Sequence, residues 1–235
     1  MGACIMFFKN IKGVFSGAYN NTLSKAKKKT FVKPSNLQNS ALVRPKPNPR
    51  MMKTSMAGLL EIISHEAVVL SRYKDSYGVW TIGVGVTASA RASINPNKYT
   101  GTITLSQAIS MFGKLIRKYE KIVDRALGKT IVEQHEYDAL VSLAYNVGSF
   151  GPTTRKYIKA GKIPEAINLW RANKENKGLM KRRDREVYLA ETGKYTAKSI
   201  PLFFATKSGK VVYSTLQRIP IEDVKDMLQK NSMVA

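Results

Sequence analysis

Apolar residues recur at intervals of three and four along most of the chain from Ser55 onward, which is the spacing of helices that bury one face. This pattern predicts a first helix at 56–65 and a long helix at about 105–127 that begins after the capping residue Thr104. Further helices are predicted at 133–147, 153–160, 163–170, 179–192 and 221–229. The greater part of the chain is therefore expected to be helical.

Two short β-hairpins interrupt the helical pattern. Residues 71–74 and 79–86 flank a turn signal at 75–78, and the second of these segments is rich in β-branched and aromatic residues. Near the C-terminus, residues 202–205 and 211–214 flank a Ser-Gly turn and form a second candidate hairpin. A mostly helical domain with a small antiparallel sheet near its start is an α+β fold.

The first 54 residues have a different character. Apolar residues at positions 7, 8, 11, 14, 15 and 18 have helical spacing, which fits either an amphipathic helix for a membrane surface or partner, or a partly ordered leader. Alternating prolines at 45, 47 and 49 favour extended chain, so residues 20–54 are interpreted as a solvated linker or wrapping arm. The apolar runs are too short for a secretory signal peptide or for the ~20 residues of a transmembrane segment. We therefore expect an extended basic arm.

Charge narrows the range of partners. The chain carries 39 Lys and Arg against 16 Asp and Glu, a formal net charge of +23, and none of the acidic residues lies in residues 1–55. Such a surface attracts polyanions, which include nucleic acid, anionic lipid and the acidic polymers of a cell wall. Nucleic acid is disfavoured as the main partner, because no basic motif interleaved with aromatic residues stands out.

Few residues are available to bind a metal or cofactor. The one cysteine, Cys4, excludes an internal disulfide framework and a Cys-based zinc or iron–sulfur site. His65 and His135 are the only histidines, and the His65-Glu66 pair lacks the second His of an H-E-x-x-H zinc site. No phosphate-binding loop or dinucleotide fingerprint is present. We therefore expect no metal and no cofactor.

The candidate chemistry lies between Glu66 and Thr81. Glu66 ends the first predicted apolar helix, where burial would raise its pKa and favour the protonated form. Asp75 lies in a polar turn that keeps it ionised. Thr81, which carries a hydroxyl, lies at the start of the next strand. Glycoside hydrolysis needs such a pair, one carboxyl that gives a proton to the leaving oxygen and one that activates water or stabilises positive charge. Spacing alone leaves open a purely structural pair, a Glu at a helix end and an Asp in a turn.

The wider sequence adds a specific resemblance. The string HEAVVLSRYKDSYGVWTIGVGVT resembles the signature of phage-type lysozymes and endolysins, glycoside hydrolase family 24, in which a catalytic Glu precedes a Tyr-x-Asp turn and a Thr-Ile-Gly-x-Gly-x-Thr strand. The matching residues are Glu66, Tyr73, Asp75, Gly78, Thr81, Ile82, Gly83, Gly85 and Thr87. The strings QHEYDALVSLAYNVG at 134–148 and GLMKRRDREVYLAETGKY at 178–195 resemble the family's cleft-lining helix and its final helix.

The resemblance implies a division of the chain into three parts. A lysozyme-like catalytic domain would span 55–195, preceded by the basic, Pro-rich arm at 1–54 and followed by a hairpin-plus-helix extension at 196–235. The implied activity is that of a muramidase, which hydrolyses the β-1,4 bond between N-acetylmuramic acid and N-acetylglucosamine in bacterial peptidoglycan.

The resemblance also implies residue roles. Glu66 would be the proton donor, Asp75 the general base or electrostatic partner, and Thr81 the residue that helps to hold the attacking water, which favours an inverting reaction. Arg182 would orient Glu66. The residues expected to contact substrate are Gly83, Gly85, Tyr145 and Asn146.

Several settings and alternatives remain open at this stage. The protein is expected to be either an endolysin, which acts from the host cytoplasm on the cell wall, or a virion-borne lysozyme attached to other virion proteins through residues 1–54. A lytic transglycosylase uses one acidic residue and no activated water, so Asp75 and Thr81 argue against it. A catalytically silent wall-binding or structural virion module is disfavoured because all three catalytic positions are filled.

Overall fold

The computed structural model describes residues 52–171 and 179–232. The amphipathic helix and the extended arm predicted within residues 1–54 lie outside the described residues, except for 52–54. These last residues are tied to the domain, since the backbone N–H and hydroxyl of Thr54 donate to Oε1 of Glu120 at 2.8 and 2.9 Å.

Seven helices follow the predicted pattern closely within the described residues. They are α1 (Met56–Glu66), α2 (Leu105–Leu127), α3 (Gln134–Val147), α4 (Pro152–Lys159), α5 (Ile163–Asn168), α6 (Met180–Thr192) and α7 (Ile221–Ser232). Helix α1 begins where the Ser55 hydroxyl accepts a hydrogen bond from the Gly58 N–H, and α2 begins with a capping box between Thr104 and Gln107. A short 3₁₀ helix at Ala88–Ala90 follows the end of the first sheet strands.

The sheet is larger than the sequence predicts. Strands β1 (Val68–Lys74), β2 (Trp80–Gly83) and β3 (Val86–Thr87) form the expected antiparallel part, and β4 (Ser199–Ala205) and β5 (Val211–Pro220) come from the C-terminal segment. The order is β3-β2-β1-β4-β5, in which β4 pairs in parallel with β1 and every other pairing is antiparallel. The C-terminal hairpin thus covers the edge of β1 that would otherwise be unpaired.

Strand β1 is buried on both faces. Val68 and Leu70 pack into the main core, which extends through all the helices, whereas Val69 and Tyr73 pack with Phe203 in a smaller cluster. The α+β fold class is confirmed, with a mixed sheet of five strands. Helix α7 joins the same main core through Val224 and Leu228, so the segment after residue 195 is packed into the domain that holds the candidate site. Within the part of the chain that the structure describes, no helix has the length and hydropathy to cross a membrane.

Candidate active site

Glu66 lies at the C-terminal end of α1, where the chain turns into β1, and its side chain is almost fully buried. Arg182 of α6 donates a hydrogen bond from Nη1 to Oε1 of Glu66, and both side chains are no more than 3% exposed. A carboxyl in this position has no water to solvate its charge, so its ionisation depends on the groups that the fold places around it.

A buried network extends from this ion pair. Arg182 also donates from Nε to Oε1 of Glu186 at 3.0 Å and from Nη2 to the carbonyl oxygen of Ser142 at 3.1 Å. Arg183 donates to Oε2 of Glu186 through Nη1 and to Oδ1 of Asn146 through Nη2. Each charged group of this network is hydrogen-bonded to another of its members, as buried charged groups need to be.

Burial decides the protonation of Glu66. Loss of solvation raises the pKa of the Glu66 carboxyl, whereas the charge and the hydrogen bond of Arg182 lower this pKa; the charge of Glu186 raises it again. The net direction of the pKa is upward, because loss of solvation is the largest of these effects. Burial thus shifts the Glu66 carboxyl toward its protonated form, and Arg182 opposes this shift.

Asp75 is held in a different way. It follows β1 directly in the turn to β2, and its Oδ1 accepts hydrogen bonds from the backbone N–H groups of Tyr77 and Val79, both at 2.9 Å. Its Oδ2 is buried and has no hydrogen-bond partner within residues 52–171 and 179–232. One carboxylate oxygen therefore fixes the orientation of the side chain and the other is left to act on a further group.

Thr81 lies on β2 and is fully buried. In the β1–β2 register it is opposite Tyr73, and its hydroxyl donates to the carbonyl oxygen of Val79 at 3.1 Å. The hydroxyl proton is therefore directed into the hairpin, and the Thr81 oxygen keeps acceptor capacity.

Tyr73 connects the two carboxyls. Burial raises the pKa of its phenol well above the usual value, and the charges of Glu66 and Asp75 raise the pKa further. Both carboxyls are therefore within electrostatic reach of one phenol. Thr81 lies opposite the same tyrosine in the β1–β2 register.

The other sequence-predicted residues lie in the interior. Gly83 adopts a φ of +65°, and a Cβ at this position would lie 3.4 Å from the side chain of Ala108, so Gly83 packs against α2. Gly85 also has a positive φ, +75°, in the turn between β2 and β3. Tyr145 donates from its hydroxyl to the carbonyl oxygen of Val84, and Asn146 accepts from Arg183. Tyr145 and Asn146 therefore hold the β2–β3 turn and the buried network from inside.

Sequence reasoning did not assign roles to several of these groups. The network around Arg182 is completed by Glu186, Arg183 and Ser142. From the sequence alone, charged residues on a polar helix are predicted to be exposed. Tyr119 was also missed: its ring centroid is 4.6 Å from that of Tyr145, and burial, followed by the charge of Glu66, raises its pKa to about 12. Within residues 52–171 and 179–232 no group of three His, Cys, Asp or Glu residues is arranged to hold a metal ion.

Comparison with known proteins decides the family. The model of the phage lysozyme family matches residues 63–186, a range that contains Glu66, Asp75, Thr81 and Arg182. The chain belongs to the phage lysozyme family. It is therefore a glycoside hydrolase of the lysozyme type that acts on peptidoglycan.

A P22 lysozyme gives the same fold. A mutant of P22 lysozyme is 29% identical, with a TM-score of 0.52, and its full length aligns with 60% of this chain. An endolysin from Escherichia coli O157:H7 phage FAHEc1 is 32% identical over 62% of this chain and 98% of its own, with a TM-score of 0.49. No curated protein sequence matches the chain.

The raised pKa of Glu66 predicts a pH-dependent stability difference between the lysozyme and its Glu66→Gln variant. The folded state binds the Glu66 proton more tightly than the unfolded chain does, so the free energy of unfolding of the wild type should fall relative to that of the variant as pH rises above the ordinary value of 4.5. Urea unfolding of both proteins between pH 4 and pH 7 measures this difference.

The exposed Glu191 supplies the matched control. Glu191→Gln should show no comparable pH-dependent difference from the wild type. If the wild type instead gains stability over Glu66→Gln as pH rises, Arg182 dominates over burial and Glu66 is ionised in the folded state.

Proposed function

We propose that this lysozyme hydrolyses the β-1,4 bond between N-acetylmuramic acid and N-acetylglucosamine, with Glu66 as the proton donor and Asp75 as the general base. The observation that carries the proposal is the contrast between the two carboxyls. Glu66 is enclosed in the interior with a raised pKa, whereas Asp75 has one oxygen fixed by two backbone N–H groups and a second oxygen with no partner in the described residues. Two carboxyls in such different surroundings suit opposite roles in one reaction.

The reaction proceeds by inversion at the anomeric carbon. Glu66 gives its proton to the glycosidic oxygen as the bond from that oxygen to the anomeric carbon breaks. Oδ2 of Asp75 takes a proton from a water molecule, with the Thr81 oxygen as a second contact for this water, and the water oxygen bonds to the anomeric carbon from the opposite face of the sugar. One water is consumed and one reducing end is formed. Asp75 then loses its proton to solvent and Glu66 takes one up, which restores both groups.

Arg182 stabilises Glu66 after the proton transfer. When the proton leaves Glu66, a negative charge forms in a site that is nearly inaccessible to water, and the guanidinium of Arg182 already bonds to the oxygen involved. Glu186 keeps Arg182 in place from the other side. Arg182 therefore limits the energetic cost of ionising Glu66, so the carboxyl is a protonated group that can still give its proton away.

The predicted substrate contacts of Gly83, Gly85, Tyr145 and Asn146 are less direct in this proposal. The side chains of Tyr145 and Asn146 are 3% and 1% exposed and bond to protein atoms. We therefore propose that they position the β2–β3 turn and Arg183. Saccharide contacts near this turn would be made by its backbone.

Digestion of purified peptidoglycan tests the reaction. The wild type should produce muropeptides with a reducing N-acetylmuramic acid end; Glu66→Gln should abolish this product and Asp75→Asn should lower its rate by roughly two or more orders of magnitude. Mass spectrometry of the digest identifies both the bond and the reaction. An anhydro-muramic product would show a lytic transglycosylase instead, and full activity of Asp75→Asn would remove the general base from the mechanism.

The basic segment before the domain supports attachment to a phage particle as the biological setting. None of the 16 acidic residues lies in residues 1–55, so this segment carries only positive charge and is suited to an acidic surface of another virion protein. The alternative is an endolysin that reaches the wall late in infection. Immunodetection in purified particles should find the protein at constant stoichiometry; its presence in lysates but not in particles would favour the endolysin.

A further inference from the structure

The turn between β4 and β5 lies directly on the hairpin that carries Asp75 and Thr81. The backbone N–H of Lys74, the last residue of β1, donates a 2.8 Å hydrogen bond to the carbonyl oxygen of Gly209. Gly209 is buried and adopts a φ of +92°. The hydrogen bond from Lys74 joins the tip of the C-terminal hairpin to the end of β1.

Gly209 also packs against the indole ring of Trp80. A Cβ on Gly209 would lie 2.6 Å from Cζ3 and 2.9 Å from Cη2 of this ring, so only glycine fits there while the ring keeps its position. The guanidinium of Arg72 lies over the same ring, 4.1 Å from its centroid. The indole is therefore contacted by Arg72 of β1 and by Gly209 of the β4–β5 turn.

These contacts fall on the two residues that precede the proposed reacting groups. Lys74 and Trp80 face each other as the last pair of the β1–β2 register, and they are followed immediately by Asp75 and Thr81. A shift of either residue would move the turn whose backbone N–H groups hold Oδ1 of Asp75.

Pairing of β4 with β1 fixes the position of the turn that contains Gly209. Val68 and Val69 pair in parallel with Leu202 and Phe203, and the Ser71 hydroxyl both accepts from the N–H of Ala205 at 2.7 Å and donates to its carbonyl oxygen at 3.2 Å. The turn itself is closed by a 2.8 Å hydrogen bond from the Thr206 N–H to the Lys210 carbonyl oxygen. The turn is thus anchored along β1 as well as at its tip.

We propose that the β4–β5 turn is a positioning element of the catalytic site, in which Gly209 sets Lys74 and Trp80 and thereby the geometry of Asp75 and Thr81. This inference rests on the roles proposed for Asp75 and Thr81. The turn lies outside residues 63–186, the range that the family model matches, so the positioning comes from a segment that this chain adds to the matched domain.

The test compares Gly209→Ala with Gly161→Ala in the full-length protein. Gly161 also has a positive φ, +71°, but a Cβ there meets no atom within 4 Å, so this control reproduces the backbone strain without the clash. With soluble, uncrosslinked glycan strands from peptidoglycan, Gly209→Ala should lower kcat about 10- to 100-fold with KM unchanged, as expected when reacting groups are displaced by an ångström or less. Gly161→Ala should keep the wild-type kcat.

Removing the indole ring of Trp80 gives a second test, which still works if Gly209→Ala is too strained to fold. Trp80→Ala should itself lower kcat, and adding Gly209→Ala to it should cause no further loss beyond that seen for Gly161→Ala, because the clash is gone. If Gly209→Ala is folded and as active as Gly161→Ala, or if its effect is the same with and without Trp80, the inference is wrong. Asp75→Asn distinguishes a failure of the proposed function from a failure of the positioning role. Full activity of Asp75→Asn would contradict the proposed function. If Asp75→Asn loses activity while Gly209→Ala stays active, only the positioning role is contradicted.

Discussion

The hydrogen bond from Arg182 to Glu66 is the constraint on which the site depends. It joins the end of α1 to α6, and the hydrogen bond from Arg182 to the carbonyl oxygen of Ser142 joins both helices to α3. Removing one partner from such a buried network leaves a charge without compensation, which typically costs about 3–5 kcal/mol. The same contacts that hold three helices together therefore set the protonation of the proposed acid, and stability and catalysis share one group of side chains.

The β-hairpin supplies what the helices cannot. The end of a helix can bury Glu66. The second carboxyl, that of Asp75, is oriented by a turn instead, because the backbone N–H groups of Tyr77 and Val79 donate to one of its oxygens. The hairpin is short, and two-stranded hairpins are only marginally stable on their own. Its stability comes from α2 packed against one face and from β4 paired along β1. The C-terminal segment is in this sense part of the catalytic unit.

Local signals predicted much of the fold. Thr104 and the apolar stripe after it were enough to place α2, and the string around Glu66, Asp75 and Thr81 was enough to propose the site. The parallel pairing of β1 with β4 was not predictable, because Val68 and Leu202 are far apart in sequence and each strand alone suits several partners. The burial of Arg183 and Glu186 was hidden for a different reason: charged residues are almost never fully buried unless paired, and the pairing is visible only in three dimensions.

Burial outweighs Arg182 and raises the pKa of the Glu66 carboxyl, which is the property that the proposed proton donor needs. A ¹³C NMR titration of the glutamate carboxyl carbons, with the Glu66 signal assigned by its absence in Glu66→Gln, measures this directly. We expect a pKa for Glu66 above its ordinary value of 4.5 in the folded protein. A pKa at or below that value would show an ionised Glu66 held by Arg182, and would contradict its role as the proton donor.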